Sequence, residues 1–176
     1  MQMHRGNLFL VGMPGSGKST LGRLLAKRLD KRFYDTDAEL EHRLGVTIPV
    51  IFELEGEAGF RDREAAILAE FVVYGNVILA TGGGAILRPA NRERLKQNGT
   101  VLYLHATPET LWERTRRGKH RPLLQAPDPF QRLKDLYAAR DPLYRETADF
   151  VIESDQEQVI RLAQRLEQQL RAAARA

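Results

Sequence analysis

The sequence of 176 residues contains no cysteine, which excludes a disulfide framework and any metal site built on thiolates. It also lacks a long hydrophobic run, because the apolar stretch at 8–13 is interrupted by glycine. That stretch is far shorter than the roughly 20 residues of a membrane span, and it is too short for a signal-peptide core with a cleavage site. We therefore expect a cytoplasmic protein that makes no membrane contact.

Neither sign of charge dominates, since 27 Lys and Arg stand against 23 Asp and Glu. Such a modest excess gives little support to a nucleic-acid-binding protein. The basic stretch at 114–121 could favour RNA binding, but it has no interleaved aromatic residues. The histidines show no ligand spacing, and we interpret them as solvated or core residues; they are His4, His42, His105 and His120. We expect no nucleic-acid partner.

Short apolar segments alternate with helical patterns along the whole chain. The predicted strands lie at 7–12, 32–35, 76–81, 100–106 and 149–154, and the predicted helices near 18–29, 37–44, 50–73, 89–97, 108–116, 130–146 and 156–172. Strands that are apolar throughout and separated by helices are typical of a parallel sheet covered on both faces. We predict an α/β fold of three αβα layers with a five-stranded parallel sheet, in a single domain spanning 1–176. The segment 117–128 has no period and is predicted to be a loop.

The segment Gly12–Thr20, GMPGSGKST, matches the phosphate-binding loop pattern G-x-x-x-x-G-K-[ST]. Its glycines let backbone N–H groups turn toward phosphates, and the following helix presents its N-terminus to the anion. Lys18 would reach the β- and γ-phosphates, while the Ser19 hydroxyl would ligate Mg²⁺. The residues predicted to bind ATP here are Pro14, Gly15, Ser16, Gly17, Lys18, Ser19 and Thr20.

Two motifs of other nucleotide-binding proteins are missing, and their absence reduces the number of classes to which this chain could belong. Neither N-K-x-D nor D-x-x-G occurs, so the guanine and switch signatures of GTPases are missing. The third predicted strand ends in ATGGG without an acidic residue, so another carboxylate must serve the metal, and Asp35 is the best candidate. If the segment is extended, Asp35 and Asp37 point to the same side. Their mutual repulsion would then be offset by a metal, by arginines or by solvent.

Three other segments suggest a small polar acceptor. Gly82, Gly83 and Gly84 end a strand, where they permit close backbone approach and positive φ, although a tight turn is the alternative. Arg61 and Glu64 share one helical face, as they also would in a surface ion-pair lattice. Arg140 directly precedes Asp-Pro, and it could bind the acceptor or could simply lie at a solvated helix end. Arginines suit an anionic group, but these residues do not name the acceptor.

The motifs GMPGSGKST, FYDTD, GEAGFR, ATGGG, RPLL and RDPLYRETAD, in this order and spacing, closely resemble the shikimate kinase family. The resemblance runs from about residue 7 to 170. It implies the fold of nucleoside monophosphate kinases, with a shikimate-binding region at about 37–64 and a lid at about 115–128. It also implies transfer of the γ-phosphoryl of ATP to the 3-hydroxyl of shikimate, a step toward chorismate and the aromatic amino acids.

By this resemblance, Lys18 contacts the transferred phosphate, and Ser19 and Asp35 hold Mg²⁺. Asp37 binds shikimate hydroxyls and orients or deprotonates the nucleophile. The remaining residues that match family positions are Arg61 and Arg140 on the shikimate carboxylate, Gly82, Gly83 and Gly84 on shikimate through their backbone, Arg121 in the lid on the ATP phosphates, and Arg114 near adenine.

The chain departs from the family pattern at two places. Pro49 is one, and we expect it in the first turn of a helix, where proline is tolerated. The other is 154–157, which falls where the family completes its adenine pocket. Three functions remain open: shikimate kinase, another small-molecule kinase of this fold acting on gluconate or a nucleoside monophosphate, and a non-catalytic nucleotide-binding module. We expect a monomer.

Overall fold

The computed structural model describes residues 6–117 and 126–175, and none of the helices in them is long and apolar enough to cross a membrane. The strands are β1 (Leu8–Val11), β2 (Arg32–Asp35), β3 (Val77–Ala80), β4 (Thr100–His105) and β5 (Phe150–Glu153). The helices are α1 (Lys18–Leu29), α2 (Thr36–Leu44), α3 (Ile48–Phe71), α4 (Pro89–Asn98), α5 (Pro108–Thr115), α6 (Pro129–Thr147) and α7 (Val159–Arg175), with a 3-10 turn at Ala85–Leu87. Each predicted strand and helix therefore has a counterpart in the structure, although the predicted helix near 50–73 is interrupted at Gly56.

The five strands form one parallel sheet in the order β2-β3-β1-β4-β5. From β1 the chain runs to one edge and returns through β3, and it then crosses to the other side with β4. This reversal places a crevice at the carboxyl end of β1, where open α/β sheets bind their ligands. The predicted phosphate-binding loop begins there.

Successive side chains of the central strands point to opposite faces of the sheet, because a strand has a two-residue period. Phe9 and Val11 belong to a core that also contains residues of α3, α4 and α6. Leu8 and Leu10 belong to a second core formed with α1 and α7. The predicted three-layer αβα architecture is thus confirmed, with helices packed on both faces of the sheet.

Helix α3 is interrupted at Gly56, whose φ of 70° and ψ of 179° are not helical. This left-handed φ favours glycine, because a β-carbon would strain the backbone there. The break separates a first part that begins with Ile48 from a second part that carries Arg61 and Glu64. Pro49 lies in the first turn of the first part, as expected. The acceptor side of the crevice is therefore built from two differently directed helical pieces.

Candidate active site

An open cleft of about 760 Å³ lies at the carboxyl edge of the sheet. The phosphate-binding loop and Asp35 line one part of it, and Arg61, Arg140 and the glycines at 82–84 line another. Nearly all of the predicted site residues within the described chain thus meet in a single cavity. Its two halves could hold a nucleotide and an acceptor side by side.

The phosphate-binding loop has the backbone that anion binding requires. Gly15 and Gly17 have φ values of 87° and 95°, in the left-handed region that favours glycine. Because the residue before α1 is Gly17, no side chain caps the helix, and its first N–H groups face the cleft with the positive end of the helix dipole. The Lys18 ammonium donates to the carbonyls of Gly12 and Met13, at 2.7 and 3.0 Å. This arrangement suits a phosphate chain.

Arg114 joins the phosphate-binding loop to the segment after β5. Its guanidinium donates to the carbonyls of Gly15 and Ser16 at 3.3 and 3.4 Å, and to the carbonyl and hydroxyl of Ser154 at 3.0 and 3.3 Å. The side chain therefore lies at the border of the nucleotide half of the cleft, next to the segment 154–157. Its contact with adenine stays a prediction.

Asp35 ends β2 and caps α2, because its Oδ1 accepts a hydrogen bond from the N–H of Ala38 at 3.0 Å. Its Oδ2 accepts a hydrogen bond from the Ser19 hydroxyl. A hydroxyl and a carboxylate side by side are the oxygen ligands that Mg²⁺ prefers. Within 6–117 and 126–175 no cluster of three His, Cys, Asp or Glu could hold a metal, so the other ligands would be water and phosphate oxygens. The donor set fits magnesium bound to a nucleotide.

Asp37 does not lie in an extended segment, and that interpretation of its spacing from Asp35 was wrong. The strand ends at Asp35, and Asp37 lies in the first turn of α2. The reason is local, since an Asp that caps a helix starts the turn immediately after the strand. The two carboxylates nevertheless repel each other, and the charge of Asp35 contributes to the raised pKa of Asp37.

The carboxyl of Asp37 is deeply buried, and its pKa is raised to about 7. Loss of solvation is the largest cause, followed by the negative charges of Glu64 and Asp35, whereas Lys18 and Arg61 act in the opposite direction. Its Oδ1 has no hydrogen-bond partner among the described residues. A carboxyl that titrates near neutral pH and presents an unpaired oxygen to a cleft can accept a proton from a bound hydroxyl.

Arg61 and Glu64 form a buried ion pair, with 2.9 Å between a guanidinium nitrogen and Oε1. Both are almost completely shielded from solvent, so the alternative of a surface ion-pair lattice is wrong. Burial raises the pKa of Glu64, against the opposing effect of Arg61. In the described part of the chain, Nε of Arg61 and Oε2 of Glu64 lack hydrogen-bond partners. Such atoms are expected to bind a polar ligand.

The three glycines at 82–84 provide space and not an unusual backbone. None of them has a positive φ, so that part of the expectation was wrong. A β-carbon on Gly82 would lie 2.5 Å from Glu64 Oε2 and 2.7 Å from Asp37 Oδ1, and one on Gly84 would overlap the Arg61 guanidinium. The 3-10 turn that follows shows that the segment is also a tight turn. The glycines keep the acceptor side chains close to the backbone.

The substitution Gly82→Ala tests this close packing. The added methyl group would displace the carboxyls of Asp37 and Glu64, because it cannot lie within 3 Å of their oxygens. We expect a loss of about tenfold or more in kcat/KM for the acceptor, with a KM for ATP within about twofold of wild type. Steady-state kinetics in both substrates provides the measurement. Gly75→Ala, where a β-carbon meets no atom within 4 Å, is the matched control; equal losses in both variants would contradict the prediction.

Arg140 is buried on α6 with 2% of its surface exposed, so the alternative of a solvated helix end is wrong. One of its guanidinium nitrogens lies 3.4 Å from the place of a β-carbon on Gly83. The Tyr144 hydroxyl donates to the Gly83 carbonyl at 2.5 Å. Tyr144 was not among the predicted site residues, whereas Glu64 had been paired with Arg61 by spacing but had been given no role in the site. The four-residue spacing of Tyr144 from Arg140 is the signal that could have found it.

The predicted lid residue Arg121 lies in 118–125, outside the described residues. For the other predicted residues, the geometry supports a reaction between two bound molecules. One half of the cleft offers backbone N–H groups and Lys18 to a phosphate chain. The other half offers two buried arginines to an anionic group. Asp37 is close enough to both halves that the charges of Lys18 and Arg61 both lower its pKa. A protein catalyses phosphoryl transfer mainly by aligning the two substrates and by stabilising charge in a site that excludes water.

Comparison with known proteins agrees with this geometry. The family model "Shikimate kinase" matches residues 14–171. The curated shikimate kinase of Cupriavidus pinatubonensis is 57% identical over 98% of this chain and 90% of its own length. That of Neisseria meningitidis serogroup C is 57% identical over 88% of this chain and 91% of its own.

Solved structures show the same relationship. The shikimate kinase of Acinetobacter baumannii in complex with shikimate has a TM-score of 0.92 and 49% identity, over 96% of this chain and 94% of its own. A gluconokinase of Sinorhizobium meliloti, with a TM-score of 0.53 and 19% identity over 98% of this chain and 99% of its own, shares the fold alone. The sequence matches and the structural match to shikimate kinases together show that this chain belongs to the shikimate kinase family.

Proposed function

We propose that this protein transfers the γ-phosphoryl of ATP to the 3-hydroxyl of shikimate, which gives shikimate 3-phosphate and ADP on the route to chorismate and the aromatic amino acids. The family is one of ATP-dependent small-molecule kinases. The observation that carries the proposal for this chain is the set Asp37, Arg61, Glu64 and Arg140, which surrounds the glycines at 82–84 and lines the same cleft as the phosphate-binding loop. The last three of these side chains are buried, and Asp37 has a buried, unpaired Oδ1.

The acceptor half matches shikimate in chemistry. Shikimate has one carboxylate and three hydroxyls on a small ring. Arg61 and Arg140 would bind the carboxylate, because guanidinium groups donate paired hydrogen bonds to planar anions. The backbone at Gly82, Gly83 and Gly84 would contact the ring closely. Asp37 would accept a hydrogen bond from a hydroxyl through its unpaired Oδ1.

The proposed phosphoryl transfer depends on Asp37 and Lys18, which line the same cleft. Asp37 would hold the 3-hydroxyl in line with the γ-phosphorus and would take its proton as the new P–O bond forms. Lys18 would exchange its bonds to loop carbonyls for bonds to the phosphate oxygens, where it would balance the charge that develops on transfer. The N-terminus of α1 would hold the β-phosphate of the departing ADP.

Magnesium would be held by Ser19 and Asp35, whose side-chain oxygens already lie together. When bound, the ion would neutralise charge on the β- and γ-phosphates. Arg114 would border the adenine, and Arg121 in the proposed lid at 115–128 would close onto the phosphates and help to exclude water. The shikimate-binding region would span about 37–64, as part of a single kinase domain over 1–176.

One experiment separates the candidate functions. ADP release is measured with ATP and Mg²⁺ in the presence of shikimate, gluconate or nucleoside monophosphates, with no acceptor as the control. We expect release that depends on shikimate alone. Release with gluconate or a nucleoside monophosphate would identify another small-molecule kinase. Release with none, together with saturable ATP binding, would indicate a nucleotide-binding module without catalysis.

The titration of Asp37 predicts how the activity depends on pH. Because a carboxyl must be ionised to accept a proton, activity is lost as pH falls through its pKa, which is about 7 in the free protein. We expect kcat/KM for shikimate, measured below saturating ATP, to rise tenfold per pH unit below about 7 and to level off above it. Bound Mg²⁺ would stabilise the ionised carboxylate and would therefore shift this rise in kcat/KM to lower pH. A profile flat between pH 5 and 8 would contradict this role.

We also propose that the enzyme works as a cytoplasmic monomer on a small-molecule substrate, with no nucleic-acid or membrane partner. The support for a monomer is that both halves of the cleft come from one chain. Sedimentation equilibrium at working concentration tests it.

A further inference from the structure

His105 ends β4 and is buried, and both of its ring nitrogens have partners. Nδ1 lies 2.6 Å from an oxygen of Glu153, the last residue of β5, and Nε2 lies 2.6 Å from the hydroxyl of Tyr137 on α6. One imidazole thus joins the carboxyl ends of two strands to a helix. None of the chemistry described above uses this ring.

The partners determine which nitrogen carries the proton. A carboxylate can only accept, so Nδ1 donates to Glu153, and Nε2 of the neutral ring is then an acceptor. The hydroxyl of Tyr137 therefore donates its proton to Nε2 of His105. The two hydrogen bonds run in one direction, from Tyr137 through His105 to Glu153.

Helix α6 presents two stripes of side chains four residues apart. Tyr137, Asp141 and Arg145 form one stripe, which contacts β4: the Tyr103 hydroxyl donates to Asp141 at 2.7 Å. Arg140 and Tyr144 form the other stripe, which reaches the acceptor half of the cleft. Any rotation or sliding of α6 that the first stripe permits would therefore move the second.

One backbone hydrogen bond of α6 is missing close to Arg140. Pro142 lies inside the helix, where it has no N–H for the usual bond to the fourth preceding carbonyl. That bond would have joined Pro142 to Ala138 and would have spanned Arg140. Side-chain bonds from α6 to the sheet therefore supplement a helix backbone that lacks one of its own bonds here.

We propose that His105 is a positioning residue for acceptor binding. Through Tyr137 it holds α6 against the end of β4, and it thereby places Arg140 at the acceptor; Glu153 fixes the tautomer that this requires. The inference rests on the proposed function in one respect, namely that Arg140 binds the carboxylate of shikimate.

The experiment compares His105→Leu, His105→Gln and Tyr137→Phe with wild type in steady-state kinetics. Loss of the hydrogen bond in the Leu and Phe variants should raise KM for shikimate about five- to tenfold, with kcat and KM for ATP within about twofold of wild type. The double variant His105→Leu with Tyr137→Phe should be no worse than either single one, because both break the same link. Gln should restore a near-normal KM, since its amide lies as many bonds from Cα as Nε2 does and its oxygen can accept from Tyr137.

Tyr74→Phe is the matched control, because it also removes one half-buried tyrosine hydroxyl bond, to Glu70, away from the cleft. It should leave all constants unchanged. A KM for shikimate that stays normal in the Leu variant, an equal rise in KM for ATP, or a Gln variant as impaired as Leu would overturn the inference while wild-type activity stands. A wild-type protein that does not phosphorylate shikimate would refute the proposed function and the inference with it.

Discussion

Replacing Asp37 with asparagine is expected to reduce kcat by about 10²-fold or more. The amide has nearly the same shape as the carboxyl, but it cannot take a proton from the acceptor hydroxyl. Because Asp37 lies against Glu64 and Asp35, removing its negative charge should not harm the fold, and relief of this repulsion should favour it. The loss should therefore appear in turnover and not in the amount of folded protein.

The measurement is kcat with ATP and shikimate saturating, together with thermal unfolding of each variant. Asp62→Asn is the matched control, since that carboxylate is exposed and pairs with Arg88 on the surface; its kcat should stay within about twofold of wild type. Near-normal turnover by Asp37→Asn would show that Asp37 is not the base. The acid limb of the pH profile should also disappear from its residual activity.

Arg140→Ala should mainly raise KM for shikimate, by about 10- to 100-fold, because the variant loses a charge-assisted hydrogen bond that burial strengthens. KM for ATP should change little, since Arg140 lies on the acceptor half of the cleft. Arg140→Lys keeps the charge and loses the planar fork, so its KM should fall between those of Ala and wild type.

Steady-state kinetics in each substrate separates these effects. Arg171→Ala is the control, because it removes an exposed arginine of α7 that pairs with Glu167. An effect of Arg140→Ala confined to ATP would show that the residue has been placed on the wrong half of the cleft.

Much of the fold was predictable because its signals are local. Buried parallel strands appear as short apolar runs, and β2 was predicted with its observed bounds. The phosphate-binding loop is contiguous, so its pattern could be recognised without tertiary information. Helical spacing likewise predicted that Arg61 and Glu64 would meet.

The rest depends on contacts between distant parts of the chain. Nothing local indicates that Arg140 reaches the glycines at 82–84; the residue types suggested only that both could serve a polar acceptor, and the family resemblance assigned both to one ligand. The pKa of Asp37 depends on burial and on Glu64, which sequence spacing does not reveal. His105 had been interpreted only as a solvated or core residue, because its partners come from β5 and α6.

The unpaired polar atoms of the acceptor half bear on how this protein balances stability against activity. Asp37 Oδ1, Glu64 Oε2 and Arg61 Nε are buried without partners within 6–117 and 126–175. Unmet hydrogen-bonding groups destabilise a folded chain, so a sequence selected for stability alone would replace them with apolar side chains. If these atoms bind the acceptor as proposed, the same unmet groups would make the cleft reject molecules that lack matching hydroxyls or a carboxylate. The selectivity of the enzyme would then come at the expense of its stability.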